Sequence, residues 1–123
     1  MSTKVQLGET GQAVVGASAL AANVAVALDA SGLLVVCAAG QRCIGTVQDA
    51  YAAGVEATYY KCRGNQHYVS TTGVAAGDYV KVGSTAGQLA PDASTGSTTA
   101  SIATVGQALT ATDTAGYSDV ILF

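Results

Sequence analysis

Ile44-Gly45-Thr46-Val47, followed by Ala50 and by Ala53-Gly54, returns as Val105-Gly106-Gln107-Ala108, followed by Ala111 and by Ala115-Gly116. The displacement is 61 residues from Ile44 to Val105 and 62 from Gly54 to Gly116. Upstream, Ala21-Ala22 with Val24, Val26 and Leu28 parallels Ala75-Ala76 with Asp78, Val80 and Val82, and Gly32 parallels Gly87, at displacements of 54 to 55. The step from 55 to 61 is absorbed by Asp92-Ala93-Ser94-Thr95-Gly96-Ser97-Thr98-Thr99-Ala100, a small polar tract that reads as a longer, exposed loop in the second copy. One β-domain over residues 12–123 is expected, built from pseudo-repeats of about 12–62 and 66–123 and preceded by a flexible N-terminal arm of residues 1–11. Units of this kind complete one another's core, so shape and assembly come before chemistry.

Strand signals dominate both halves. Val24, Val26 and Leu28 alternate with Ala25 and Ala27, a period of two with one bulky face, and Asp29-Ala30-Ser31-Gly32 supplies the turn. Residues 33–38 form a short apolar run between Gly32 and Gly40, which reads as a strand buried on both faces. Residues 55–63 and 66–71 flank Gly64-Asn65, a pair suited to the positive φ values of a tight hairpin. Further strands are expected around Val80 and Val82, over 102–105 and over 117–123. Propensity alone permits one or two short helical turns, at 17–22 and 49–53. Turns spaced at roughly eight to twelve residues are the signature of a sandwich or barrel, so the fold class is all-β.

Composition narrows the function. Charged residues are 11% and aromatics 6%, with Trp absent, which leaves a surface of small apolar and hydroxylated side chains suited to packing against neighbours. The net charge is −3 and the five basic residues, Lys4, Arg42, Lys61, Arg63 and Lys81, form no run. Nucleic acid and anionic membranes both need a concentrated positive patch, so neither is expected as a partner. Lys61 and Arg63 share a strand face beside Tyr59, which reads as a solvated face. Gly and Asp interrupt every apolar run, so no membrane span is expected, and the first residues lack a signal peptide's apolar core. Synthesis in a reducing cytoplasm follows, with Cys37, Cys43 and Cys62 as buried free thiols. Their spacing, even with His67, lacks the closely spaced ligand pair of a zinc site.

The tools of an enzyme do not assemble. Gly11-Gln12-Ala13-Val14-Val15-Gly16 has the glycine spacing of a phosphate loop, but Ala17 stands where the lysine is needed. Ser18 sits in a partial nucleophile elbow that Leu20 breaks at the second glycine. His67, the single histidine, reads as a half-exposed strand residue beside a turn. Asp29, Asp49, Asp78, Asp92 and Asp113 read as turn formers and caps. Lys81 in Gly77-Asp78-Tyr79-Val80-Lys81-Val82-Gly83 lies within a strand, unlike the hairpin-tip lysine of a lipoyl or biotin carrier. Neither a catalytic activity nor a cofactor, metal or small-molecule substrate is expected.

The order of these pieces, from Ala75-Ala76-Gly77-Asp78-Tyr79-Val80 through the Gly turn to Val105-Gly106-Gln107-Ala108, with its earlier counterpart at Ile44-Gly45-Thr46-Val47, resembles the small capsid decoration or cement proteins of tailed bacteriophages. The resemblance runs from about Gly11 to Phe123, and the order and duplication carry it rather than any single motif. It implies a compact β-barrel or β-tulip-like fold, a homotrimer, and a place on the outer surface of the virion head. There the major capsid protein would be its partner and the expanded shell would be stabilised. In some relatives an N-terminal arm adds a strand to a capsid loop, and Lys4-Val5-Gln6-Leu7 alternates in the way that β-augmentation requires. A phage tail, fibre or adhesin-type β-module has the same composition and is the alternative.

Overall fold

The computed structural model describes residues 9–39, 41, 43–62, 65–92 and 104–123. Among these residues ten strands follow in order: β1 Thr10–Val14, β2 Val24–Leu28, β3 Leu34–Val36, β4 Gly45–Val47, β5 Glu56–Lys61, β6 Gln66–Ser70, β7 Tyr79–Val82, β8 Leu89–Pro91, β9 Gly106–Ala108 and β10 Tyr117–Leu122. They form two five-stranded antiparallel sheets, ordered β1-β5-β4-β2-β3 and β6-β10-β9-β7-β8. The second order is the first with every strand advanced by five. The duplication seen in the sequence is therefore a duplication of topology.

Register carries the correspondence to single residues. Gly45 stands opposite Val26 on one side and Lys61 on the other, and Gly106 stands opposite Val80 and Leu122. Each sheet also curls until its outer strands meet, through the parallel bridges Val15 to Leu34 and Thr71 to Leu89. Two small barrels result. Alternation then dictates what fills them: in the first barrel Val15, Val26, Leu34, Val47 and Ala57 point inward with Leu20 beneath them. The counterparts of Val26, Leu34 and Val47, namely Val80, Leu89 and Ala108, occupy the second together with Val74.

The barrels are joined face to side. Ala25 and Ala27, the small residues of β2 that point out of the first barrel, pack with Cys37 and Cys62 into the same apolar cluster as Val69, Val80, Val82, Val120 and Leu122. The second barrel's interior thus continues into the outer face of the first. Backbone bonds support this joint: Ala25 N–H donates to the Gly87 carbonyl, Gly87 N–H to the Cys37 carbonyl and Ser70 N–H to the Asn23 carbonyl.

The sequence permits at most one or two short helical turns, and none forms among the described residues; at those places Leu20 and Tyr51 pair as an antiparallel bridge. Other expectations are corrected. The hairpin expected across Gly64-Asn65 does not form. Both neighbours of β5 are already taken, by β1 and β4, so β6 leaves for the other sheet and pairs with β10. Arg63 and Gly64 lie outside the described residues, and Asn65 acts through its side chain, whose amide donates to the carbonyls of Lys61 and Cys62. β3 is shorter than the expected strand and only Leu34 within it is fully buried. β1 begins at Thr10 and pairs Gly11 with Tyr59, so the sheet includes the last two residues of the expected arm.

Candidate interaction surface

Lys4, Val5, Gln6 and Leu7, the expected contact arm, lie outside the described residues, as do residues 93–100 of the expected loop tip. The described chain starts at Glu9, whose carbonyl accepts the Lys61 N–H at 2.9 Å and whose carboxylate lies 3.7 Å from the Lys61 ammonium. That pair sits at the rim of a groove of about 540 Å³ lined by Leu28, Cys43, Ile44, Tyr59, Lys61, Cys62 and Phe123.

The groove is the mouth of the first barrel. Leu28 follows Val26 along the inward face of β2, and Tyr59 and Lys61 follow Ala57 along β5. Tyr59 fills the mouth because Gly11 opposite it has no side chain; a Cβ there would meet the phenol ring at 2.5 Å. The counterparts of Leu28, Tyr59 and Lys61 in the second barrel are Val82, Val120 and Leu122, all buried where the first barrel covers them. One mouth is therefore closed within the chain. The other is open, with Leu28 42% and Phe123 53% exposed. Mouths of barrels and apolar patches of this kind are where partners bind.

His67 belongs to the closed mouth and is a correction to the sequence reading, being fully buried rather than half-exposed. On β6 it occupies the position that Gly11 holds on β1, opposite Val120 as Gly11 is opposite Tyr59. Its Nε2 lies 3.1 Å from the Lys61 carbonyl and its Nδ1 lies 2.7 Å from the Thr46 hydroxyl. A carbonyl only accepts, so Nε2 carries the proton and Nδ1 accepts from Thr46. Burial, the larger influence, pushes the imidazole down to about 4, against the pull of the Lys61 carbonyl. The ring is a neutral bolt between the barrels, poorly placed to exchange protons with a substrate.

Asp29 and Asp113 each accept two backbone N–H groups in matching loops, from Ser31 and Leu33 and from Ala115 and Tyr117. Asp113 also accepts the Tyr68 hydroxyl at 2.6 Å, which with the Tyr117 N–H holds its carboxyl below the usual carboxylate range. Asp78 caps its own turn through the Ala75 N–H, whereas Asp92 is buried and accepts the Thr104 hydroxyl at 2.8 Å. Ser18 is exposed, and Lys81 is half-buried in β7. Among the described residues no group of three His, Cys, Asp or Glu side chains could hold a metal ion. A second hollow of about 340 Å³ lies against Asn23, Gln48, Asp49, Tyr68, Ala115 and Tyr117. Compared with known proteins, the chain matches no protein-family model, and no curated protein matches it significantly.

Proposed function

We propose that the chain is a structural virion protein that binds the outer surface of a tailed-phage head and stabilises the expanded shell. The observation that carries this reading is the duplicated barrel with one mouth closed inside the chain and its counterpart left open. A unit that covers one of two equivalent mouths and leaves the other to a neighbour is built for assembly. In this reading the major capsid protein, or another subunit of a homotrimer, covers Leu28, Ile44 and Phe123. In the same reading the arm Lys4-Val5-Gln6-Leu7 adds a strand to a capsid loop. The weakly charged surface lets such contacts form without desolvating ions, and many copies on one symmetric shell turn a modest interface into a firm one.

The test is to strip heads of their decoration, add back the purified chain and image the particles by cryo-electron microscopy. A regular array over the head, together with later bursting on heating, is the expected result. Density at the tail alone would move the protein to a fibre or adhesin role, and no density would end the decoration reading. Removing residues 2–9 is expected to weaken binding to heads.

A further inference from the structure

β3 and β4 lie on opposite sides of β2, so the chain between them must cross that strand, and β8 and β9 flank β7 in the same way. The two crossovers begin and end at equivalent places. Cys37 N–H donates to the Ala25 carbonyl as Asp92 N–H does to the Tyr79 carbonyl, and Ile44 N–H donates to Val26 as Val105 N–H does to Val80. Cys37 therefore corresponds to Asp92, and Cys43, just before Ile44, corresponds to Thr104. In the second crossover these two positions face one another, with the Thr104 hydroxyl 2.8 Å from the Asp92 carboxylate. In the first the same two positions hold thiols, and Cys43 packs against the buried cluster that contains Cys37.

We propose that Cys37 and Cys43 are a redox-active pair that closes into an intramolecular disulfide and fastens the first crossover. Their surroundings divide the labour. Cys43 is half-exposed and lines the open groove, so an oxidant reaches it first. Cys37 is buried behind it, near the Gln41 carbonyl, and the Cys43 thiol holds it below the ordinary thiol range against the opposing effect of burial. With hydrogen peroxide as oxidant, the Cys43 thiolate attacks one peroxide oxygen, giving a sulfenic acid and hydroxide. The Cys37 thiolate then attacks the Cys43 sulfur, the S–S bond forms, and the displaced hydroxide leaves as water after taking a proton. Two thiols and one peroxide thus yield one disulfide and two waters. Cys62, whose thiol is directed at the Cys43 carbonyl at 3.5 Å, is the competing partner that the test must separate. The proposal rests on the fold and is independent of where the protein acts.

The test uses the full-length chain and hydrogen peroxide, followed by denaturation and alkylation with N-ethylmaleimide. Of the three thiols, one is expected to be alkylated after oxidation and all three after added dithiothreitol. Trypsin cuts after Arg42, between the paired cysteines, so the bridge appears as two joined peptides. Cys62→Ala keeps the bridge, Cys43→Ser abolishes it, and the oxidised wild type melts higher than the reduced protein while Cys37→Ser shows no such rise. Three alkylated thiols after oxidation, a bridge that includes Cys62, or an unchanged melting temperature despite a Cys37–Cys43 bridge would each overturn the proposal.

Discussion

His67 links three strands through one neutral ring, and its chemistry makes that link sensitive to acid. The unfolded chain binds a proton on His67 near pH 6.5, while the folded protein refuses it until about pH 4. Between those values the unfolded state carries more protons, so this contribution is complete above pH 6.5 and is lost as the pH falls towards 4. It amounts to about 3 kcal/mol. Denaturant melts at pH 7.5 and 4.5 are expected to show a loss in the wild type that shrinks in His67→Gln; an equal loss in both would remove His67 as the cause. A second residue-level constraint explains why the repeat is most legible at Ile44-Gly45 and Val105-Gly106. A Cβ on Gly45 would collide with the Tyr60 carbonyl oxygen, and one on Gly106 with that of Ile121. Backbone cannot swing aside as a side chain can, so Gly45→Ala and Gly106→Ala are each expected to cost about 3 kcal/mol, at the upper end for overpacking. Thermal melts of the two variants check this, and a loss below about 1 kcal/mol in either would contradict the close approach.

At the scale of elements, two loops of the same local form, at Asp29 between β2 and β3 and at Asp113 between β9 and β10, offer an internal comparison. Each aspartate closes its turn with two backbone bonds, and only Asp113 reaches across to Tyr68 on β6. Asp113→Ala is therefore expected to lower the melting temperature more than Asp29→Ala, and in a Tyr68→Phe background the difference should vanish. Asp113 titrates below its usual range, so its contribution is present above pH 3.8 and is lost as the pH falls through the lowered value. These loops were readable in the sequence because Asp, Ser and Gly act locally on their own backbone. The strand at Val24, Ala25, Val26, Ala27 and Leu28 was readable for the same reason, since alternation declares its two faces. What was not readable depended on distant partners. Gly64-Asn65 has hairpin composition, yet β5 had no free edge on which β6 could pair. His67 looked like a residue beside a turn because the groups that bury it, Thr46 and the Lys61 carbonyl, belong to the other sheet. The open groove was hidden too, because Leu28 follows the same period whether its barrel mouth is covered or not.

At the scale of the whole molecule, duplication followed by unequal burial is the property that bears on function. The first barrel's cluster of Val15, Leu20, Val26, Leu34, Val47 and Ala57 comes from its own half, whereas the second barrel's cluster borrows Ala25, Ala27, Cys37 and Cys62 from the first. Equivalent positions consequently have opposite fates. Val82 is 6% exposed under the first barrel, and Leu28, its counterpart, is open at the groove. A carboxylate at the buried position would have no partner and little water, so Val82→Asp is expected to cost about 4 kcal/mol and to prevent stable folding. At Leu28 the same change leaves the charge in solvent, and stability is expected to shift by about 0.5 kcal/mol or less. If the open mouth is the face offered to the capsid or to a neighbouring subunit, burying that charge on assembly has the same unfavourable desolvation that Val82→Asp meets on folding. Leu28→Asp should therefore melt like the wild type and fail to decorate stripped heads. Normal decoration by a folded Leu28→Asp variant would show that the mouth stays open in the assembled particle, and the contact surface would have to be sought at the hollow beside Asp49 and Tyr117.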